Sequence, residues 1–248
     1  MRCGALLLLV AAGVPQICAA SACVERRSRG VVAVHCASSG LTLVETSRPL
    51  EPIYHVVAAP TPRQLMAAGW SVVVNGSYHD GDYANAKLDG QFTVRGKQWG
   101  QARPDDRQLS HVITLDEQGH IASIKPATAA ALTQAAHAPL SVQTGPLITQ
   151  HGAWVATYVH ASLNGNDAYK RSAIGRTDDG HSVIVMARRP RTLEALARDV
   201  LALRNYAQRG LTLVNLDGGP STALALAQWP QWHYQPDKTT PVAFGVRQ

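Results

Sequence analysis

Residues 211–222 read Leu211-Thr212-Leu213-Val214-Asn215-Leu216-Asp217-Gly218-Gly219-Pro220-Ser221-Thr222. An apolar run passes into an asparagine, an aspartate and a glycine turn. A run without polar alternation suits a strand buried on both faces. At the end of such a strand polar side chains can emerge beside a cleft, and glycines let backbone N–H groups come close to a ligand. A second stretch repeats the pattern: Ser71-Val72-Val73-Val74-Asn75-Gly76-Ser77-Tyr78-His79-Asp80-Gly81-Asp82. Each turn alone also has a plain structural reading, because Asn-Gly and Asp-Gly are common turn dipeptides. Gly218-Gly219 before Ser221-Thr222 can open a helix through residues 223–227, its N–H groups aimed at an anion. Asn75-Gly76-Ser77 is formally a glycosylation sequon. Directly after a buried strand it is a poor acceptor.

Working outward, short β-branched runs at residues 31–36, 41–45, 54–58 and 71–74 are separated by Gly, Pro or Ser clusters and predict strands. Pro62 opens a short helix that Gly69 stops. Residues 111–116 and 120–125 flank Glu117-Gln118-Gly119 as a hairpin. A second hairpin pairs residues 172–176 with 181–187 around Thr177-Asp178-Asp179-Gly180. Residues 128–138 are Ala-rich and predict a helix. The clearest helix spans residues 193–208, with Thr192 as N-cap, Glu194 in the first turn and Gly210 as C-cap. Leu193, Leu196, Ala197, Val200, Leu201 and Arg204 repeat at helical spacing there, so one face should be buried. Residues 211–215 and 242–246 are further strands, and 100–107 a long loop. The expected fold class is α+β: one compact domain of mixed or antiparallel sheets packed against a few helices, over residues 23–248.

The N-terminus bears on compartment. Arg2 precedes the apolar run of residues 5–14, and the small residues Ala19-Ala20-Ser21-Ala22 follow. That is the pattern of a secretory signal over residues 1–22. Ten residues are too few to span a bilayer, which takes about 20, and no later segment approaches that length. The expected mature chain is therefore exported, periplasmic or secreted, without a transmembrane segment. Cys3 and Cys18 leave with the signal, and Cys23 and Cys36 remain where a disulfide can form. Bridging them would tie the N-terminal arm to the strand at residues 31–36. The competing reading, lipidation of Cys23, meets a poor lipobox with no Leu or Val three residues before the cysteine.

Composition narrows the function classes. With 46% hydrophobic and 16% charged residues the chain is neither disordered nor fibrous. Its formal charge of +6 suggests an anionic partner without naming one. Eighteen of the 23 basic residues are arginine, scattered except for Arg188-Arg189-Pro190-Arg191, which argues against a nucleic-acid partner. No HxxxH, CxxC or EF-hand spacing predicts a metal site, so no cofactor is expected; scattered ligands stay open.

Four segments together resemble the phosphodiester glycosidase domain family. Val214-Asn215-Leu216-Asp217-Gly218-Gly219-Pro220-Ser221-Thr222 is similar to its Asn-Leu-Asp-Gly-Gly-Gly-Ser-Ser/Ala-Thr signature. Asn75-Gly76-Ser77-Tyr78 resembles its Asn-Gly/Ala-Gly-Phe/Tyr element, Thr144-Gly145-Pro146-Leu147-Ile148 its Gly-Pro-Leu element, and Arg171-Ser172-Ala173-Ile174-Gly175 its Arg-Thr-Ala-Ile-Gly element. They occur in the family's order and cover roughly residues 30–246. Pro220 departs from the pattern, removing one backbone donor and fixing the turn. The charged His79-Asp80-Gly81-Asp82 stretch is not general in the family either.

The resemblance implies hydrolysis of a sugar 1-phosphodiester, and the residues can be matched to that chemistry. Arg171 offers a planar fork for the phosphate. Asp217 is the carboxylate for acid/base or nucleophilic work. Asn75 and His79 join them as catalytic candidates, with Asp80 or Asp82 as a second carboxylate. Thr144, Gly145, Gly218, Gly219, Ser221, Thr222, Tyr78 and Asp80 are the substrate-binding candidates. Each has a structural alternative: Arg171 paired with Asp217, Asn75 bonding only turn backbone, His79 as polar surface. The expected substrate is a carbohydrate phosphodiester of an envelope or extracellular glycan.

Two rival classes stand beside the hydrolase. Gly219-Pro220-Ser221-Thr222-Ala223 approaches a nucleophile elbow but lacks its second glycine. Only 27 residues follow Ser221, with His233 their sole histidine, so an α/β-hydrolase order is impossible. The second rival is a non-catalytic glycan-binding or envelope-assembly protein on the same fold. Trp229, Trp232 and Tyr234 could stack on sugars, or pack the last strand against the body.

Overall fold

The computed structural model describes residues 23–54, 61–80, 87–162, 164–234 and 241–248. The signal segment at 1–22, residues 55–58 of one expected strand, and Asp82 lie outside them, as does the side chain of Asp80. Every strand pair among the described residues is antiparallel.

An eight-stranded sheet runs in the order Cys23–Ser28, Val31–Cys36, Leu41–Thr46, Ser182–Arg191, Tyr169–Arg176, Thr212–Asn215, Leu147–Gln150, Ala153–Trp154. A four-stranded sheet runs Leu224–Leu226, Trp70–Asn75, Val242–Arg247, Glu51–Tyr54. A five-stranded sheet runs Ile121–Pro126, His111–Leu115, Leu140–Thr144, Phe92–Val94, Lys97–Trp99. His79–Asp80 pairs with Lys87–Leu88 as a separate two-stranded ribbon.

The three larger sheets share one core. Val44, Ile184 and Val214 from the first, Val72, Val74 and Phe244 from the second, and Phe92, Ile113 and Val142 from the third belong to one buried cluster. Successive residues of a strand face opposite sides. Accordingly Leu43, Val183, Val185 and Leu213 face a second cluster, covered by Leu193, Leu196, Ala197 and Val200 of the helix Leu193–Leu201. This double burial explains why the central strands read as unbroken apolar runs. The helices Pro62–Ala67 and Ala129–Ala135 cover the outer faces of the two smaller sheets. Thr61, Thr128 and Thr192 cap the three helices through their hydroxyls.

Two expected helices differ. The Leu193–Leu201 helix stops seven residues before residue 208, with Ala202 as C-cap in place of Gly210. The cause is Glu45, 5% exposed, which accepts hydrogen bonds from Arg204, Tyr206 and Arg209. Residues 204 and 206 would stand about 200° apart on a helix. The chain instead turns at Arg204 and Asn205, both with positive φ, and all three donors meet one carboxylate. Gly210 serves a different need: a Cβ there would sit 1.9 Å from Asp178 Oδ2. Residues 223–227 form no helix. A 3-10 turn at Gly219–Ser221 leads directly into the Leu224–Leu226 strand, which pairs with Trp70–Asn75. The sheet's backbone pairing thus overrides the alanine-rich helical propensity.

Cys23 and Cys36 are disulfide-bonded, joining the exposed first strand to its neighbour. Trp229 and Trp232, each 8% exposed, pack in the main core with Val242 and Val246, so they are not sugar-stacking surface. Among the described residues no helix is long and apolar enough to cross a membrane.

Candidate functional site

The two glycine turns that end buried strands are bonded to one another. Asn75 terminates Trp70–Asn75, and its amide nitrogen donates to Asp217 O at 2.7 Å. Asn75 Oδ1 accepts from the Ser172 hydroxyl at 2.6 Å and from Ala223 N at 2.9 Å. Asp217 N donates in turn to Gly76 O at 3.1 Å. Gly76 is required for this approach, since a Cβ there would stand 2.4 Å from Val242 Cγ1 and 2.9 Å from Val242 backbone carbon. The backbone of Asp217 is therefore clamped by the first turn, and both ends of the Asn75 amide act in the clamp. An asparagine held this way, 1% exposed, is not a glycosylation acceptor.

The other two segments complete the frame. The Thr144 hydroxyl donates to Asn215 O at 2.8 Å. The Asn215 amide nitrogen donates to Leu216 O at 2.6 Å and to the Tyr78 hydroxyl oxygen. Tyr78 donates to Gly145 O at 2.9 Å. Asn75, Thr144 and Asn215 are buried, so these bonds form away from water, where an unmade one would be costly.

Within this frame lies a pocket of about 220 Å³ lined by Tyr78, Gln108, Asn164, Tyr169, Arg171, Asp217, Gly218, Gly219 and Pro220. Larger hollows occur elsewhere, such as one of about 510 Å³ beside Glu45 and Arg204, whose carboxylate and guanidinium are already paired with each other. Asp217 is the carboxylate of the smaller pocket. Burial pushes its pKa up to about 6, against the opposing hydrogen bonds from the Ser221 hydroxyl and the Gly218 N–H. His79 Nε2 stands 3.7 Å from Asp217 Oδ2, and the two side chains are 6% and 17% exposed. Such a carboxyl can carry or release a proton near neutral pH.

Arg171 is 3% exposed. Its Nε donates to Arg191 O at 3.1 Å, and Nη2 donates to Asn164 O at 2.7 Å and Asp167 O at 2.6 Å. Nη1 has no hydrogen bond to any described residue. A fully open bidentate fork is therefore not what the protein presents: two nitrogens fasten the guanidinium and one is left for an anion. No ion pair with Asp217 is formed among the described residues. Gly219, with φ +58°, has nothing within 4 Å of where a Cβ would point, so its turn borders open space.

Asn75, Thr144, Gly145 and Thr222 do not line the pocket. The first three position Asp217, Asn215 and Tyr78, and Thr222 is wholly buried. Ser221 contacts Asp217. Gln108, Asn164 and Tyr169 line the pocket without having been singled out by sequence. Gln108 and Tyr169 sit in no glycine turn, and Gln108 comes from the long loop before His111; Asn164 precedes Gly165 in a turn, the same Asn-Gly signal that marked Asn75. Among the described residues no group of three His, Cys, Asp or Glu is placed to hold a metal ion.

A family model described as phosphodiester glycosidase matches residues 68–247. The chain belongs to the phosphodiester glycosidase family. The match begins later than the residue 30 expected from the motifs, after the first four strands, and it includes the Asn75, Gly145, Arg171 and Asp217 segments. No curated protein sequence matches the chain. Among solved structures, the zebrafish N-acetylglucosamine-1-phosphodiester alpha-N-acetylglucosaminidase catalytic domain, auto-inhibited by its pro-peptide, aligns with TM-score 0.62 at 13% identity, over 91% of this chain and 81% of that one. A hypothetical protein from Synechocystis aligns with TM-score 0.54 at 14% identity, over 88% of this chain and 62% of that one. A Burkholderia pseudomallei K96243 protein assigned to the exported class aligns with TM-score 0.53 at 10% identity, over 88% and 74%. These likenesses show a shared fold over about nine-tenths of the chain.

Proposed function

We propose that the protein is an exported hydrolase that breaks the C1–O bond of a sugar 1-phosphodiester in an envelope or extracellular glycan. The observation that carries this reading is the partly buried, backbone-clamped Asp217 carboxyl in a pocket that also holds Arg171. Asp217 assists attack at C1, as base toward water or as nucleophile, while the departing phosphate takes the bonding electron pair. Phosphate is a good leaving group once its charge is met. The Nη1 donor of Arg171, a side chain only 3% exposed, meets it, and a charge-assisted hydrogen bond is strong. Fastening by three carbonyls means that the guanidinium needs little reorganisation when charge develops. His79 is near enough to Asp217 to hold or pass on its proton. With its pKa near 6, Asp217 is mostly ionised above neutrality, the form needed for attack.

The signal-like residues 1–22, the Cys23–Cys36 disulfide and the family likeness together support export. The bridge occupies the sulfur that lipidation would need. A release assay on a panel of sugar 1-phosphodiesters tests the reading. Free sugar and a phosphomonoester should appear with the wild type and not with Asp217→Ala. A folded Asp217→Ala protein with wild-type turnover would remove Asp217 from the site.

A further inference from the structure

The hydrolytic reading leaves two pocket residues, Gln108 and Tyr169, without a task. Tyr169 is 42% exposed, one of two large apolar side chains so exposed among the described residues. It starts its strand where the ladder to Ser182–Arg191 slips: Tyr169 pairs with Arg191, yet Arg171 pairs with Ala187. Three residues therefore face the single Lys170. Irregularities of this kind re-aim a side chain and often border active sites. The Tyr169 ring centroid lies 5.3 Å from the Arg171 guanidinium carbon, so one aromatic face adjoins the phosphate donor.

Gln108 is held from both sides. Asp106 Oδ1 accepts from Gln108 N at 2.7 Å and from Leu109 N at 2.9 Å, and the Gln143 amide donates to Leu109 O at 3.0 Å. The orientation of the Gln108 amide follows from its neighbour. Tyr78 has one proton, which goes to Gly145 O, because a carbonyl can only accept. The Gln108 atom 2.8 Å from the Tyr78 hydroxyl must then be the donor Nε2. Gln108 Oε1 is left shielded from solvent and accepts no hydrogen bond from any described residue. A buried acceptor in this condition favours any ligand that brings a donor. The ionised oxygens of a phosphodiester bring none; the hydroxyls of a sugar do.

We propose that Gln108 and Tyr169 form the sugar-recognition half of the pocket, the ring face stacking on Tyr169 and a hydroxyl donating to Gln108 Oε1 after a small turn of that side chain brings the oxygen to the pocket surface, while Arg171 takes the phosphate. This rests on the sugar 1-phosphodiester reading above, and it deepens it by assigning the two ends of the substrate. At about 220 Å³ the pocket is smaller than the roughly 300–1,000 Å³ of drug-sized ligand sites, which fits a single sugar unit.

The test uses the full chain and reads binding, not turnover. Probes are free hexoses and N-acetylhexosamines, their 1-phosphates, and inorganic phosphate, followed by ligand-observed NMR and calorimetry. Gln108→Leu and Tyr169→Ser should each weaken the best sugar about tenfold, as loss of one hydrogen bond or one stacking contact does, with inorganic phosphate affinity unchanged. Tyr169→Phe keeps the ring and should stay within about twofold of wild type. Tyr169 is exposed, so its variants fold whatever becomes of Gln108→Leu. Sugar binding untouched by Tyr169→Ser, an equal loss of phosphate affinity, or no sugar bound by the wild type would overturn the proposal. A sugar bound through these residues with no phosphodiester turned over would overturn the hydrolase reading instead.

Discussion

Replacing Asp217 by asparagine should make the protein more stable at neutral pH. Burial raises the Asp217 pKa from 3.8 to about 6 in the folded state. Between these values the folded chain holds a proton that the unfolded chain has released, so stability falls as pH rises through this window. The contribution is fully present below 3.8 and gone above about 6. One pKa unit corresponds to about 1.36 kcal/mol, so the ionised carboxylate costs about 3 kcal/mol at pH 7–8. Asparagine fills nearly the same volume and keeps an oxygen for the Ser221 hydroxyl or the Gly218 N–H, without the charge. Part of the gain is lost with the second acceptor oxygen, which leaves about 2–3 kcal/mol. For a domain of this size that raises Tm by about 4–12 °C. The assay is urea and thermal unfolding of both proteins, disulfide intact, from pH 3.5 to 8. The difference should be small at pH 3.5, grow between pH 4 and 6, and stay level above. A difference that does not vary with pH, or an asparagine variant less stable at pH 8, would refute the reasoning.

Other outcomes follow from the same contacts. Glu45→Gln should cost up to about 3 kcal/mol at pH 7: burial alone would raise this carboxyl, but Arg209, Arg204 and Tyr206 hold it down to about 2. That contribution is present above pH 4.5 and lost as pH falls toward 2, so acid unfolding curves of the two proteins should converge there. Arg171→Ala should raise KM for a sugar 1-phosphodiester and also cost about 2–3 kcal/mol, because Asn164, Asp167 and Arg191 carbonyls lose their donor. An unchanged KM would take Arg171 out of substrate binding. Gly76→Ala should lower kcat at least tenfold by pushing Val242 against the turn that carries Asp217. Wild-type kcat in that variant would show that the clamp is not needed for positioning.

Much of the fold is legible in the sequence where one element satisfies its own rules. The Val31–Cys36 strand, both hairpins, the Pro62–Ala67 and Ala129–Ala135 helices and the Thr192 N-cap read correctly because burial pattern, cap and turn chemistry agree locally. The failures share a long-range cause. The helix after Thr192 ends early because Glu45, more than 150 residues away, draws three donors into one place. Residues 223–227 become a strand because Trp70–Asn75 needs a partner. The candidate site divides the same way. Asp217 and Arg171, in motifs with a recognisable chemistry, do face one pocket. Asn75 and Thr144 carry the same kind of motif signal, yet they hold backbone, and composition cannot tell a side chain that touches substrate from one that positions it. Gln108 and Tyr169 had no motif at all. Their place is set by a loop pinned to Gln143 and by a slipped ladder, neither of which leaves a local pattern.

The central claim is that the C1–O bond breaks and that Asp217 brings this about. Hydrolysis of a sugar 1-phosphodiester in ¹⁸O-labelled water, followed by mass spectrometry of both products, tests it most directly. Label in the released sugar, none in the phosphomonoester, and no product with Asp217→Ala is the result expected. Label in the phosphate, or undiminished labelling of the sugar by a folded Asp217→Ala protein, would contradict it.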